Sequence, residues 1–261
     1  MNRGSTAAAD RMRKVSDVES VNPYGAGEKS GQVEEMFDSI APAYDFMNRA
    51  MTFGLCGVWR NRALAMAGRE QPEAAAVLDV ATGTGDLALE LLKRYPQARI
   101  TGLDLSAGML EVARRKAAAV EGAERLSFQQ GDSLALPYAD NTYDLITIAY
   151  GVRNFAHLDK GLAEMCRTLK PGGTICIVEL SVPANPLARA GYNLYSNHII
   201  PFVGRRVSGD KSAYTYLPQS IAVCPQRGGM TALMRRAGFD NCRWKSLTFG
   251  VVTIYIGKKR L

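Results

Sequence analysis

The chain has few of the side chains that hold metal ions or form disulfides. Its 261 residues include two histidines, His157 and His198, and five scattered cysteines without a C-x-x-C pair. Zinc sites need closely spaced ligands, and disulfide frameworks need paired cysteine spacings. We therefore expect no metal site, and we expect reduced, mostly buried thiols.

The chain also lacks the segments that send proteins into or across membranes. No apolar run approaches the roughly 20 residues of a membrane-spanning helix. The first residues carry Asp10, Asp17 and Glu19 and have no apolar core, unlike a signal or transit peptide. With 47% hydrophobic residues, the chain can bury one large core. We expect a cytoplasmic protein.

The net charge of +7 does not by itself select a partner. The basic residues occur in groups of two or three, such as 114–116 and 235–236. Such groups are typical of solvated helix faces, and they also suit anionic lipid headgroups, where each charge contributes about 1 kcal/mol. Nucleic acid is a third candidate, and charge alone does not decide among them.

The central part of the chain alternates strand and helix patterns. Alternation of this kind predicts a parallel sheet with helices on both faces. A last helix and two further strands are expected to complete the sheet with an antiparallel hairpin. The predicted strands are Ala76–Val80, Arg99–Asp104, Leu126–Gln130, Tyr143–Ala149, Thr174–Leu180, Cys242–Thr248 and Val251–Gly257, and the predicted helices between them are Asp86–Arg94, Ala107–Val120, Leu158–Leu169 and Met230–Ala237.

Composition shifts divide the chain into three parts. Residues 1–31 are polar and glycine-rich, and we predict a mobile tail. Helical patterns over residues 32–75 predict a helical lid, and residues 76–261 form the α/β domain. Within that domain, residues 181–229 contain five prolines and several tyrosines. An insertion there, after the fifth strand, is expected to form a roof over the substrate.

The most informative motif follows the first predicted strand. Gly83-Thr84-Gly85 ends that strand, and a helical pattern begins at Asp86. Strand, glycine turn and helix bring a nucleotide-like ligand against backbone at a helix N-terminus. Asp104, at the end of the next strand, is placed to accept both hydroxyls of a ribose. The motif predicts a cofactor that contains a nucleoside.

Dinucleotide oxidoreductases are the first alternative, because Gly83, Gly85 and Ala88 also satisfy G-x-G-x-x-A. Acidic residues flank the glycines, with Asp79 before them and Asp86 after them. Such acids would repel a pyrophosphate and attract a ligand that carries an amino group and a sulfonium. The flanking charges therefore favour a cationic ligand over a dinucleotide.

Two later segments complete the set. Asp132-Ser133 closes the third strand, where these residues can hold an adenine edge, and residues 170–173 read Lys-Pro-Gly-Gly before the fifth strand. Together with the glycine turn, this set resembles the class I S-adenosylmethionine-dependent methyltransferases. The resemblance implies a Rossmann-like, mostly parallel sheet with a C-terminal antiparallel hairpin, plus the helical lid.

A narrower resemblance rests on the segment Tyr44-Asp45-Phe46-Met47-Asn48, followed by Trp59. It is similar to the N-terminal signature of the UbiE/COQ5 family, the C-methyltransferases of menaquinone and ubiquinone biosynthesis. The similarity runs from about Val33 to Lys258. Further matches are Tyr150-Gly151-Val152-Arg153-Asn154, Arg167 with residues 170–173, Glu179 and Ser181, and Tyr195 with residues 198–201; departures occur at Thr52, Cys56 and Ala149.

The resemblance implies which residues bind the two ligands. The implied cofactor is S-adenosyl-L-methionine. Its expected contacts are Asp79, Ala81, Gly83, Thr84, Gly85, Asp104, Leu105, Asp132, Ser133 and Ala149, and the expected contacts of the substrate are Tyr44, Met47, Tyr150 and Tyr195.

Methylation of a quinol ring carbon requires a more nucleophilic ring than a neutral hydroquinone offers. Ionisation of a neighbouring hydroxyl increases electron density at the ortho carbon, so a cationic or hydrogen-bonding partner for that oxygen is needed. We expect Arg153 to be that partner and Asn154 to orient the oxygen. His198 is the candidate base. The alternatives are a salt bridge of Arg153 that holds the lid and ordinary packing of His198.

We therefore expect a C-methyltransferase that converts a demethylated prenyl quinol, demethylmenaquinol in the first instance, to the methylated product. The alternatives are C-methylation of a methoxy-benzoquinol in the ubiquinone pathway, an RNA methyltransferase and a non-catalytic cofactor-binding scaffold. The polyprenyl tail of such a quinol stays in the bilayer, so we expect peripheral contact with the inner face of the membrane. We expect no nucleic-acid partner, and the sequence leaves a homo-oligomer open.

Overall fold

A computed structural model describes residues 18–196 and 211–261. The helices α1 (Lys29–Ile40), α2 (Tyr44–Thr52) and α3 (Leu55–Glu70) precede the sheet. A 3-10 turn over residues 41–43 separates α1 from α2, and its central residue is Pro42, whose missing N–H and fixed φ suit the start of a new helical segment. The predicted base His198 lies outside the described residues.

A seven-stranded sheet follows, with the strand order β3-β2-β1-β4-β5-β7-β6. Strands β1 to β5 are parallel, while β7 is antiparallel to both β5 and β6. The predicted sheet with its C-terminal antiparallel hairpin is thus confirmed. The strands are β1 (Ala76–Val80), β2 (Arg99–Asp104), β3 (Leu126–Gln130), β4 (Tyr143–Ala149), β5 (Leu169–Leu180), β6 (Phe239–Leu247) and β7 (Val252–Lys259).

Helices cover both faces of the sheet. The described helices after β1 are α4 (Asp86–Arg94), α5 (Ala107–Ala117), α6 (Leu158–Thr168) and α9 (Gly228–Arg236), together with α7 (Pro186–Leu194) and α8 (Lys211–Val223) of the insertion after β5. On one face, Leu78 and Ile146 pack with Leu162 of α6 and Met234 of α9. On the other face, strand residues pack with α3 and α4, as Val77 and Leu145 do with Leu91. The five parallel strands therefore end at one edge, where α/β folds bind ligands.

Strand β5 begins five residues earlier than predicted. Leu169 pairs with Tyr143, and after a shift in register Thr174 pairs with Leu145. Residues 170–173 form the irregularity between these two pairs. The sequence prediction excluded them because Pro and Gly are unfavourable in a regular strand interior.

The end of the predicted tail is structured where the structure describes it. Helix α1 already begins at Lys29, and the Glu28 side chain accepts hydrogen bonds from the backbone N–H groups of Ser30 and Gly31. Val18 is fully buried in the main core. The buried Lys29 ammonium donates to the Val18 carbonyl at 2.6 Å. These contacts differ from the expected mobile tail to residue 31, and their isolated residues form no periodic pattern that a sequence could reveal.

The insertion after β5 packs against the N-terminal helices. Ala213 and Tyr216 of α8 share a cluster with Met36 and Ile40 of α1 and with Met47 of α2. The insertion and the N-terminal helices therefore form one helical layer above the carboxyl edge of the sheet. Among residues 18–196 and 211–261, no helix combines the length and apolar character needed to cross a bilayer.

Candidate active site

The glycine turn lies at the carboxyl end of β1. Gly83 and Gly85 have φ angles of 57° and 79°, in the left-handed region that glycine adopts without a steric penalty. A Cβ on Gly85 would lie 3.0 Å from the Cβ of Ala113. The Gly83 N–H donates to the Asp104 carboxylate at 2.7 Å. The turn thus needs glycine for its backbone conformation at both positions and for close packing at Gly85.

The Asp104 carboxylate is the central acceptor of this region. Its second oxygen accepts the Ser106 N–H at 2.9 Å. Burial raises the pKa of Asp104 to about 6, against the opposing effect of these backbone hydrogen bonds. Each carboxylate oxygen has a lone pair beyond the one used by the backbone. Asp104 can therefore accept the two hydroxyls of a ribose, as the sequence predicts.

The first cavity lies beside Asp104 and is open to solvent, with about 710 Å³ of empty space when the adjoining solvent is included. Its wall carries three carboxylates, Glu34, Asp104 and Asp132, and the described lining residues include no lysine or arginine. Such a wall repels pyrophosphate and attracts a ligand with an amino group and a sulfonium. The donor set therefore fits S-adenosylmethionine and does not fit a dinucleotide.

The acids that give the first cavity its negative wall differ from the two acids on which the sequence argument relied. Asp79 is 1% exposed, does not line the cavity, and accepts hydrogen bonds from Thr82 and Thr147 at 2.7 Å each. Burial raises the pKa of Asp79 to about 7. Asp86 forms ion pairs with Arg60 and Lys116. The sequence argument placed the charge on these two acids, whereas the cavity wall obtains it from Glu34, Asp104 and Asp132.

The other predicted cofactor contacts also divide into residues that line the first cavity and residues that do not. Thr84 and Gly85 belong to the turn but do not line the first cavity. Asp132 is held in place because one of its oxygens accepts the Leu134 N–H at 2.8 Å. The predicted residues that do line the cavity are Ala81, Gly83, Asp104, Leu105, Asp132, Ser133 and Ala149.

The second cavity is larger and mostly apolar, with about 1640 Å³ of open space. It lies between the N-terminal helices, the insertion and the turn before β7. Arg153 is the single charged residue among its described lining residues. The cavity can accept a flat ring with a hydrocarbon tail, and one cation is available to an anionic oxygen. Its apolar lining includes Met36, Ile40, Met47, Met51, Phe53, Leu55, Trp59, Leu180, Leu217, Ile221 and Phe249.

Four polar atoms on residues that line this cavity are buried and have no hydrogen-bond partner within the described protein. They are the hydroxyls of Tyr150 and Tyr216, Nε of Arg153 and Oδ1 of Asn154. A buried polar group without a partner costs about 1–3 kcal/mol. Polar residues with unpartnered atoms around one apolar cavity are compatible with a ligand that has a few polar atoms on an apolar body.

Arg153 is fixed by a buried ion pair. One guanidinium nitrogen, Nη1, lies 2.9 Å from the Glu179 carboxylate and also donates to the Tyr150 carbonyl. The Arg153 side chain is 7% exposed and that of Glu179 is 2% exposed. The structural salt bridge that the sequence left as the alternative for Arg153 is therefore present. Glu179 orients the guanidinium, and Nε of Arg153 has no hydrogen-bond partner within the described protein.

The two cavities share a wall made of four residues. Phe37, Tyr44, Tyr150 and Asn154 line both of them. Tyr150 has a φ of 60°, a strained conformation for a bulky residue, of the kind that often marks a functional site. Ligands in the two cavities would meet at this wall.

The remaining predicted substrate contacts also line the second cavity. Met47 is nearly fully buried there, and the Tyr195 hydroxyl donates to the Met51 carbonyl at 2.7 Å. Sequence reasoning missed Phe37 of α1 and Tyr216 of α8. Their aromatic positions within amphipathic helices look like ordinary core positions, and no local signal separates the two cases.

Comparison with known proteins also indicates a methyltransferase. The model of the ubiE/COQ5 methyltransferase family matches residues 26–259. The demethylmenaquinone methyltransferase of Deinococcus radiodurans is 46% identical over 246 residues, which cover 93% of this chain and 99% of that protein. The ubiquinone/menaquinone biosynthesis C-methyltransferase UbiE of Dinoroseobacter shibae is 41% identical over 233 residues, 89% of this chain and 92% of that protein.

A solved structure shows the same fold. Phosphoethanolamine N-methyltransferase 2 of Haemonchus contortus, in complex with phosphomonomethylethanolamine and S-adenosylhomocysteine, superposes with a TM-score of 0.59 at 16% identity, covering 77% of this chain and 53% of that chain. The predicted class I methyltransferase fold is thus confirmed. The chain belongs to the ubiE/COQ5 methyltransferase family and is a methyltransferase that uses S-adenosylmethionine.

Proposed function

We propose that the chain methylates a ring carbon of demethylmenaquinol and so acts in menaquinone biosynthesis. The observation that carries the proposal is the wall of Phe37, Tyr44, Tyr150 and Asn154, which separates an acidic cavity from an apolar one. Relatives named demethylmenaquinone methyltransferase support the naphthoquinol substrate.

Each cavity has its own task. When bound, S-adenosylmethionine would supply an electrophilic methyl group, and the electrons of the C–S bond would stay on sulfur as the C–C bond forms. The hydrogen of the methylated ring carbon would then leave as a proton, which restores the aromatic ring and its hydroxyl. We assign the ribose to Asp104, the adenine edge to Asp132 and Ser133, and the close approach of backbone to Gly83. The remaining proposed contacts are Ala81, Leu105 and Ala149, with Asp79, Thr84 and Gly85 supporting the turn.

Arg153 is proposed to hold the quinol oxygen next to the reacting carbon. A guanidinium in an apolar cavity favours the ionised hydroxyl, because the charge interacts more strongly where water is excluded. Asn154 would accept a hydrogen bond from the second hydroxyl or from a bridging water. Tyr44, Met47, Tyr150 and Tyr195 would hold the ring and the start of the tail.

The described lining of the second cavity includes no carboxylate or histidine. The hydroxyl proton can therefore pass to water once Arg153 has lowered the pKa of that hydroxyl, and His198 remains the candidate side-chain base. Alignment of the ring carbon with the methyl group supplies a large part of the rate enhancement.

We further propose that the enzyme works at the cytoplasmic face of a membrane, because exposed apolar residues surround the mouth of the second cavity. Phe53 is 82% exposed and Phe249 is 87% exposed, and both line that mouth. Leu187 and Leu194 are exposed on α7, a helix that contributes Ala188 and Gly191 to the lining of the second cavity. These residues can insert among lipid chains and let the prenyl tail stay in the bilayer.

Vesicles that contain phosphatidylglycerol test this membrane contact. We expect them to raise turnover of a long-chain quinol, and we expect high salt to reduce the gain by screening surface charge. Phe53→Ser and Phe249→Ser should lose most of the gain. Trp244→Ser changes an exposed aromatic residue outside the cavity lining and should keep it. A gain that survives both phenylalanine substitutions would contradict the proposed surface.

A ubiquinone-pathway benzoquinol is the second candidate substrate, because the UbiE relatives carry both pathways in their name. Lipid extracts of a strain that lacks the protein separate the two. Accumulation of demethylmenaquinone, reversed by the intact gene, is the expected result. Accumulation of a benzoquinone precursor alone would reject the naphthoquinol assignment.

A further inference from the structure

A cluster of charged residues joins helix α2 to the glycine turn, outside both cavities. Asp45, in the first turn of α2, accepts a hydrogen bond from the Thr84 hydroxyl at 2.5 Å. Its second oxygen lies 2.8 Å from the Lys116 ammonium. Lys116 also pairs with Asp86 at the start of α4. We call Asp45, Thr84, Lys116 and Asp86 the Asp45 latch.

The latch joins three elements that are distant in sequence. Asp45 belongs to the N-terminal helices, Thr84 to the turn after β1, and Lys116 to the last turn of α5. The side chains of Asp45 and Lys116 are 26% and 24% exposed. At that burial the pair is screened less than a fully exposed one. The pair therefore joins the N-terminal helices to a helix of the α/β domain.

The residue next to Asp45 is Tyr44, which lines both cavities. A Cβ on Gly83 would lie 4.0 Å from the Tyr44 ring. The position of Tyr44 over the glycine turn therefore depends on how α2 is fastened at its first turn. Within the described chain, the Asp45 contacts fasten that turn to Thr84, one residue from Gly83.

We propose that Asp45 is a positioning residue, which through Thr84 and Lys116 holds Tyr44 at the wall where the two ligands meet. This inference rests on the proposed function, because it assigns Tyr44 to the site of methyl transfer. Asp45 touches neither cavity in the described structure. Its loss should therefore lower kcat more than it lowers affinity for either ligand.

A double-mutant cycle with Asp45→Asn and Lys116→Met tests the proposal. Asparagine keeps the shape of the side chain and an acceptor for Thr84, while it removes the attraction to Lys116. We expect Asp45→Asn to lower kcat on the order of tenfold, because small misplacements of reacting groups are costly. The double variant should be little worse than either single variant. The KM for quinol and the Kd for S-adenosylhomocysteine should stay within about threefold.

Lys170→Met is the matched control. Lys170 pairs with Asp144 at 2.7 Å, at the start of β4 and so at the opposite edge of the sheet, and its removal should leave kcat unchanged. Activities of the two single variants within twofold of the wild type, or fully additive losses in kcat, would overturn the proposal. An equally large loss of S-adenosylhomocysteine affinity would assign Asp45 to cofactor binding and would also overturn it.

Amide hydrogen exchange separates this proposal from the proposed function. Exchange across residues 44–52 should rise in Asp45→Asn and not in Lys170→Met, whether or not the protein methylates a quinol. Unchanged exchange would show that Asp45 does not hold α2. Faster exchange in a protein that methylates no quinol would reject the proposed substrate and leave the latch as a device of the fold.

Discussion

The first cavity and the second cavity share four residues but are built by different means. Backbone turns at the ends of β1, β2, β3 and β4 form most of the first cavity, and its wall carries three acids. Helices outside the sheet form most of the second, and its described wall carries one cation, Arg153. A sheet edge gives fixed hydrogen-bonding geometry for a ligand with many polar atoms, whereas packed helices give an adjustable apolar volume.

The charge difference has a consequence for catalysis. Acids around the first cavity favour a cationic methyl donor, and Arg153 in the second favours an anionic acceptor. The two cavities thus favour ligands of opposite charge, and these ligands meet at the shared wall. Substitutions should therefore separate cleanly, with those in the first cavity changing cofactor affinity and those in the second changing turnover.

The largest expected effect belongs to Arg153. Arg153→Ala should lower turnover by roughly two to three orders of magnitude, as the loss of an oxyanion donor does, while the Kd for S-adenosylhomocysteine stays nearly unchanged. Arg153→Lys should recover only part of the activity, because an ammonium lacks the planar fork. Steady-state kinetics and calorimetric titration measure the two quantities.

A control for stability is needed, since Arg153→Ala leaves Glu179 buried without its partner. Breaking such a pair costs about 3–5 kcal/mol. The double substitution Arg153→Gln with Glu179→Gln removes both charges, so that neither is left buried without its partner. A folded neutral-pair variant with near-normal turnover would reduce Arg153 to the structural role.

The next effect concerns Asp104. Asp104→Ala removes the acceptor for two ribose hydroxyls and should weaken S-adenosylhomocysteine binding by about 2–3 kcal/mol, roughly 30-fold to 150-fold in Kd. Turnover at saturating cofactor should change much less. Calorimetry on the folded variant measures the affinity, and an unchanged Kd would remove Asp104 from the cofactor site.

The effect of pH on cofactor affinity should be smaller than the effect of Asp104→Ala. A cationic ligand favours ionised Asp104, whose pKa is raised by burial to about 6. S-adenosylmethionine affinity should thus fall as the pH falls below about 6, by up to about tenfold per pH unit. Asp104→Asn should remove this slope, and calorimetric titrations between pH 5 and pH 8 compare the two proteins. Equal slopes would assign the titration to another group.

The raised pKa of Asp104 also predicts the direction in which the stability of the folded protein changes with pH. Because the folded protein binds the Asp104 proton more tightly than the unfolded chain does, this group stabilises the unliganded protein below about pH 4. That contribution is lost as the pH rises through about 6. Thermal unfolding of Asp104→Asn should lack this decline.

Truncation should have the smallest effect on the chemistry. Removal of residues 1–28 deletes Val18, whose burial contributes about 1.5–3 kcal/mol, and a contact of the Lys29 ammonium, which also lies 3.5 Å from the Arg153 carbonyl. We expect lower thermal stability and a modest loss of turnover. Removal of residues 1–17 is the control and should be tolerated. Equal stability of both truncated proteins would show that residues 18–28 contribute nothing.

The first cavity could be predicted from the sequence more fully than the second. The bounds of β1 to β4 match the predicted strands residue by residue, because short apolar runs ending in Gly83, Asp104 or Gly131 are local signals. Residues at those strand ends meet at one edge by topology alone. The glycine turn and Asp104 could therefore be placed without a structure.

The second cavity depends on contacts between distant segments. Tyr216 meets Met36 and Met47 across most of the chain, and no local pattern encodes that meeting. The ion pairs of Asp86 with Arg60 and Lys116 are equally non-local. For this reason the sequence argument assigned the charge of Asp86 to the cofactor site, whereas the structure places it in these ion pairs. The sequence predicted the type of this cavity but only part of its wall.

Transfer of a labelled methyl group to a quinol is the most direct test of the central claim. The purified protein would be incubated with methyl-labelled S-adenosylmethionine and reduced demethylmenaquinol with a short prenyl chain, and the product would be analysed by mass spectrometry and NMR. The account predicts one labelled methyl group on the free ring carbon of the naphthoquinol. Label on a ring oxygen, or no transfer to this quinol by a protein that binds the cofactor, would contradict it.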